Sequence, residues 1–214
     1  MKYEFTGETK EWLGVTLHRI RALVEIAALG VAVGDLGGWV EKEENLSQVY
    51  DNAWVHGGAQ VSGNAQVYDN AQVSGNAQVY GNAQVYDNAQ VSGNAWVSGN
   101  ARVHGNARVH DNAWVHGGAQ VSGNAQVSGN AQVLTVNVTA TRTDNYTVLV
   151  APTPEGPRII AGCRYFTFDE ARAHWTATRG GTKLGDESLA IVDHLERMAK
   201  LNGFMEPVLD GDPA

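Results

Sequence analysis

Val-Tyr-Asp-Asn-Ala stands at residues 49–53, again at 67–71 and again at 85–89, eighteen residues apart each time. Between and beyond these copies Val recurs every sixth residue from Val49 to Val133, fifteen valines in all. Ala follows four positions after each Val, from Ala53 to Ala131. The unit is Val-x-(Gly/Asp)-Asn-Ala-x. A period of six suits neither a helix nor a flat strand. It suits a two-residue strand, a corner and another short strand. Val, β-branched, serves the strand and points inward. Gly-Asn or Asp-Asn serves the corner, because these residues tolerate positive φ. Ala is small enough to let the corner close.

If a coil holds three hexads, the eighteen-residue copies fall one above another. Coils should stack at about 4.8 Å, and five of them make a rod roughly 20–25 Å long. The stacking defines columns. Tyr50, Tyr68, Tyr86, His104 and Ser122 should share one. Trp96 and Trp114 should share another, with Ser98 and His116 two residues along. Asp51, Asp69 and Asp87 should form a third, where they either chelate a divalent cation or cap turn amides. The capping role is the expectation, since Asp routinely bonds its own turn.

The pattern Val-x-Gly-Asn-Ala-x resembles the hexapeptide repeat of left-handed parallel β-helices. That resemblance covers about 86 of 214 residues. It implies a mainly β fold with three hexads per coil and a homotrimer. Lys-Tyr-Glu-Phe-Thr-Gly at 2–7 and Gly-Asp-Leu-Gly-Gly-Trp-Val-Glu at 34–41 look like the start of uncharacterised bacterial and phage-borne proteins of this fold. Neither resemblance supplies a chemistry, because one fold hosts many functions.

Residues 1–48 read as an N-terminal cap and a degenerate first coil, 49–134 as the rod, and 135–214 as a small α+β domain. In the cap, 2–6 is a strand turned at Gly7, and Val15–Ile26 contains a second extended or mixed run, Thr16–Leu23, read as a strand with a short helix as the alternative. The nine residues from Val40 to Val49 predict an outward bulge at Glu41–Glu44. After the rod the pattern predicts strands at Leu134–Thr143, Tyr146–Ala151 and Arg158–Cys163. Thr167-Phe168-Asp169-Glu170 is a capping box opening a helix through Trp175. A second helix carries Leu189, Val192, Leu195 and Ala199 on one stripe and ends at Asn202-Gly203.

The net charge of −8 and the absence of any basic segment argue against a nucleic-acid groove. The one cysteine, Cys163, permits no internal disulfide. No signal peptide or membrane span is evident, so the expected location is the cytoplasm. Fifteen uninterrupted hexads leave no pocket-forming loop of the kind a hexapeptide acyltransferase needs. His104, His110 and His116, six apart, should point from three faces and cannot converge on zinc within one chain. No catalytic residue, metal site or cofactor is therefore assigned.

The binding candidates are the outward aromatics Tyr50, Tyr68, Tyr86, Trp96 and Trp114, with Arg102, Arg108, His104 and His116. Arg158, Arg164, His174 and Trp175 in the last domain join them, since cations beside aromatics suit phosphate and base recognition. One further regularity matters. Residues 51–67 and 111–127 are identical. Their offset of sixty is ten hexads, so the copies must lie on different faces. The expected function is non-catalytic sequestration of a nucleotide signal or a host defence component by a phage-borne accessory protein. The rivals are a structural trimerisation rod and an acyltransferase.

Overall fold

A computed structural model describes residues 1–49, 51–133, 138–153 and 155–205. The chain is mainly β, a solenoid of about five turns with two helices at its C-terminal end. Fourteen two-residue strands run from Trp54–Val55 to Gln132–Val133. They pair in parallel at an offset of eighteen: Gln72 beside Gln90, Gln78 beside Trp96, Gln84 beside Arg102. Three parallel sheets result, one for each side of the coil. Every Val from Val55 to Val133 and every Ala from Ala53 to Ala131 is at most 1% exposed. The interior is thus built of methyl groups, each valine worth about 1.5–3 kcal/mol in removal from water.

The corners work as the residue types demand. The third hexad position has positive φ, whether Gly (Gly81, +72°) or Asp (Asp69, Asp87 and Asp111, +57° to +62°). Asp tolerates this region better than most residues. The Asn that follows forms ladders along the rod. Asn76 Nδ2 donates to Asn94 Oδ1, Asn94 to Asn112 and Asn112 to Asn130, at 3.2–3.3 Å.

The first coil departs from the expected register. Strand β1 (Tyr3–Trp12) pairs antiparallel with β2 (Val15–Ala22), and β2 with β3 (Leu36–Val40). Strand β3 then pairs in parallel with Gln60–Val61. Val40 lies beside Val61 and Leu46 beside Val67, each twenty-one residues apart. Val40 to Leu46 therefore has the six-residue spacing of a hexad, but its corner is a 3-10 turn at Glu43–Asn45 that leaves Glu43 and Glu44 exposed and buries Asn45. The three extra residues fall between Leu46 and Val55. Leu46 takes the inward site, and Val49 is 65% exposed. Fourteen of the fifteen valines face inward, not all.

Gly7 does not turn the chain either. It sits at φ +88° in a register shift within β1, and the turn comes at Leu13-Gly14. The hairpin is long enough for its tip to reach the outer surface of the rod. The chain start is held by Lys2, whose buried Nζ meets Asp51 at 2.5 Å and the Ala53 carbonyl at 2.8 Å.

At the other end four antiparallel strands follow, Val138–Thr141, Thr147–Ala151, Arg158–Ala161 and Arg164–Phe166. The sequence reading had three. The fourth is only three residues long and follows a tight turn at Gly162-Cys163. The expected stretch Leu134–Asn137 lies outside the described residues. Strand alternation splits this sheet into two faces. Leu149, Ala151 and Ile160 join the rod's core and close its open end. Val148, Val150, Ile159 and Ala161 pack against the helices α1 (Phe168–Arg179) and α2 (Lys183–Leu201). The capping box is present: Thr167 Oγ1 accepts from the Glu170 amide, and the Glu170 carboxylate accepts from the Thr167 amide. Helix α1 runs one turn past Trp175, so the loop before α2 is short.

Candidate functional site: outward columns and a cleft at the rod's end

Apart from Trp54, which is buried against Tyr3, the side chains flanking the buried valines lie on the outside of the coil, and the eighteen-residue advance brings like positions together. On one face Tyr68 and Tyr86 stack at 5.1 Å between ring centroids, and Tyr86 and His104 at 4.8 Å, both nearly parallel. Arg102 stands exposed on the same sheet. Tyr50 lies outside the described residues. The amide of Ser47 bonds the carbonyl of Val67 just as that of Tyr68 bonds Val85, so Ser47 occupies the place in this column expected for Tyr50.

A second face carries Trp96 and Trp114, stacked at 4.8 Å with 4° between their planes. Tyr80 meets Trp96 edge-on at 6.4 Å, and Trp12, from the tip of the folded-back hairpin, meets Tyr80 at 5.7 Å. Tyr80, Trp96, Ser98, Trp114 and His116 line a cavity of about 140 Å³. That is roughly the volume that accommodates one benzene ring. Trp114 remains 40% exposed. Further along, Trp39 is covered by Lys10 and Arg19, whose charges lie 4.4 and 5.2 Å from its ring. Trp12 and Tyr80 escaped the sequence reading. Tyr80 sits eighteen residues before Ser98 in the His116 column, a signal that was available. The hairpin's return to the rod surface left none.

The third face holds Arg108, exposed and away from both aromatic columns. His104, His110 and His116 follow strands on three different sheets and do not converge. Among the described residues no three His, Cys, Asp or Glu side chains gather as a metal site. The carboxylates along the rod bind amides one coil on. Asp51 accepts from the Asp69 amide, Asp87 from Gly105 and Asp111 from Gly129, at 2.9–3.1 Å. The Gly129 amide and the neighbouring His110 hold the Asp111 carboxyl below its ordinary range.

The C-terminal residues divide. Arg164, His174 and Trp175 line one cleft, together with Arg142, Tyr146 and Arg179. Arg158 is elsewhere, paired with Glu155 at 3.0 Å and lying over the Tyr165 ring. Arg142 and Tyr146 were not anticipated, because they come from the hairpin that opens the domain and meet α1 only in three dimensions. Burial, then the charges of Arg164 and Arg179, press the His174 pKa down.

Segments within this array match a known repeat. Residues 59–75, 65–81, 71–87, 83–99, 89–105, 101–117 and 119–134 match the family model described as YdcK Beta solenoid repeat. The chain is a β-solenoid repeat protein. No curated protein matches the solenoid chain in sequence. Among the described residues no helix is long and apolar enough to cross a membrane.

Proposed function

We propose that this β-solenoid is a non-catalytic binding protein that sequesters a small aromatic, anionic ligand of the nucleotide class. The hexad spacing and outward columns support a left-handed coil assembled as a homotrimer, with the aromatic faces lining the spaces between subunits. The N-terminal motifs at 2–7 and 34–41 support a phage-borne accessory role, in which the ligand is a nucleotide signal of host defence.

The observation that carries this reading is the Trp96–Trp114 stack beside its cavity. Stacking on aromatic side chains is worth about 1–3 kcal/mol per base and tolerates any base. Two parallel indoles left partly open to solvent, with Tyr80 and His116 at their flank, are the surface such a ligand requires. The test is a titration of cyclic and linear nucleotides, read by tryptophan fluorescence and thermal unfolding. A binder at a hundred times its Kd should add about 2.7 kcal/mol of stability, and Trp96→Ala with Trp114→Ala should abolish the response. A flat result across the nucleotides contradicts the proposal.

A purely structural rod is the second reading, and one observation favours it. The identical stretches 51–67 and 111–127 lie on different faces: Trp54 belongs to the five-stranded sheet and Trp114 to the eight-stranded one. Trp54 is buried edge-on against Tyr3, whereas Trp114 is open. An array that exchanges faces while keeping its coil behaves as a spacer.

A further inference from the structure

The cleft at the C-terminal end shares no residue with the aromatic columns. It measures about 650 Å³ and is formed where α1 passes the first hairpin of the terminal sheet. Five arginines lie between residues 142 and 179. Three are engaged by carboxylates. Arg142 holds both oxygens of Asp144, at 2.9 and 2.7 Å, and also donates to Ser188 Oγ. Arg158 holds Glu155, and Arg172 holds Asp169, Asp193 and Glu196. The remaining two, Arg164 and Arg179, make no ion pair with any described residue, and both face this cleft. Both are exposed, and in a chain of net charge −8 two guanidinium groups without carboxylate partners leave this one concavity locally positive.

The other walls define what the cleft accepts. Asp144 is already neutralised by Arg142. Tyr146 keeps its proton, because burial pushes its pKa up. Trp175 is 3% exposed and offers no open face for a base to stack on. His174 lines the cleft with the two free arginines, and its ring lies 5.2 Å from that of Phe166. Thr178 spends its hydroxyl on the His174 carbonyl at 2.7 Å. The recognition elements left over are two planar forks and one imidazole, a set suited to a tetrahedral oxyanion.

We infer that this cleft binds a phosphate-class oxyanion, with Arg164 and Arg179 as its ligands and His174 as a third, proton-linked contact. The inference is independent of the rod: either site works if the other does not. The groups facing His174 are Arg164, Arg179, the Arg142–Asp144 pair and Tyr146, with Cys163 on the adjoining turn. An anion placed between the arginines offsets their repulsion of the imidazolium. Binding therefore takes up a proton at His174 and tightens as pH falls through the histidine range.

The probe is inorganic sulfate, which stays divalent across that range. The readout is the ring-proton NMR titration of His174 in the full chain, with chloride at matched ionic strength as control. Sulfate should raise the His174 pKa by about half a unit or more, and chloride should not. In Arg164→Ala with Arg179→Ala, both exposed positions, the anion-free His174 pKa should rise because the repulsion is gone, and sulfate should then move it no further. An unmoved His174 in the native protein overturns the inference, whatever the variant does. So does an equal sulfate response in the double variant, or an equal response to chloride.

Discussion

Asp and Gly are alternatives at the third hexad position, and their difference is chemical as well as steric. A Cβ built on Gly81 meets the amide nitrogen of Gly99 at 3.0 Å, one coil away. Asp87 and Asp111 already place a Cβ at such a position and turn the close approach into a bond with the next coil's amide. Gly81→Val should therefore cost about 1–3 kcal/mol, as a branched residue forced to positive φ. Gly81→Asp should cost less than about 1 kcal/mol, because Asp visits this region and finds a local partner. Chemical denaturation midpoints of the two variants check the order; equal losses would refute it. At this scale the sequence was largely legible, since a strict period names the inward residue without reference to neighbours. It misled at Val49, where the period continues but Leu46 occupies the inward site. Nothing local distinguishes Val49 from Val67; the difference is three inserted residues and a chain start tied down at Asp51 by Lys2.

The elements differ in what holds them. The rod's coils rest chiefly on buried methyl groups and ladders of neutral Asn side chains, which pH touches little; its bonded carboxylates, Asp111 among them with a lowered pKa, add only a minor pH-dependent share. The C-terminal module is tied together by carboxylates. Its guanidinium partner Arg142 holds the Asp144 pKa down at about 2, against an ordinary 3.8. The Thr143 amide and hydroxyl lower Glu187, Lys200 and Arg172 lower Glu196, and Thr167 lowers Glu170. Each of these groups has a folded pKa below its unfolded one. Their stabilisation is complete above the unfolded values and is lost as pH falls through the folded ones. Acid should loosen the helices first. Between about pH 4.5 and 2 the helical circular dichroism signal should decline while the β signal persists; simultaneous loss of both would contradict this. The helices were legible from the capping box and the apolar stripe. The short fourth strand and the returning N-terminal hairpin were not, because each is fixed by pairing across the fold and by no local period.

The whole molecule is a dry three-sided rod closed at both ends, by the N-terminal hairpin at one and by the terminal sheet at the other. Closure covers the two ends of the apolar core, with Tyr3 and Ile20 at one and Leu149 and Ile160 at the other, as the capping units of a repeat array must. The fold also brings side chains together that are distant in sequence: Trp12 against Tyr80, and Arg142 and Tyr146 in one cleft with His174. The columns within the rod could be written down from multiples of eighteen. Of the cleft residues, Arg164, His174 and Trp175 could be named from the sequence, whereas Arg142 and Tyr146 could not, since no spacing rule links a hairpin to a helix. The aromatic columns rest on one premise, that one coil advances eighteen residues and turns the valines inward. Paired cysteines test it directly. With Cys163→Ser as background, Gln72→Cys with Gln90→Cys puts two thiols on adjacent strands of one sheet. Strands about 4.8 Å apart fall within the Cα separation a disulfide accepts. Gln72→Cys with Gln84→Cys puts them on different sheets. On mild oxidation, mass spectrometry should find an intramolecular cross-link in the first pair and none in the second; cross-linking of the second pair, or of neither, would contradict the eighteen-residue coil.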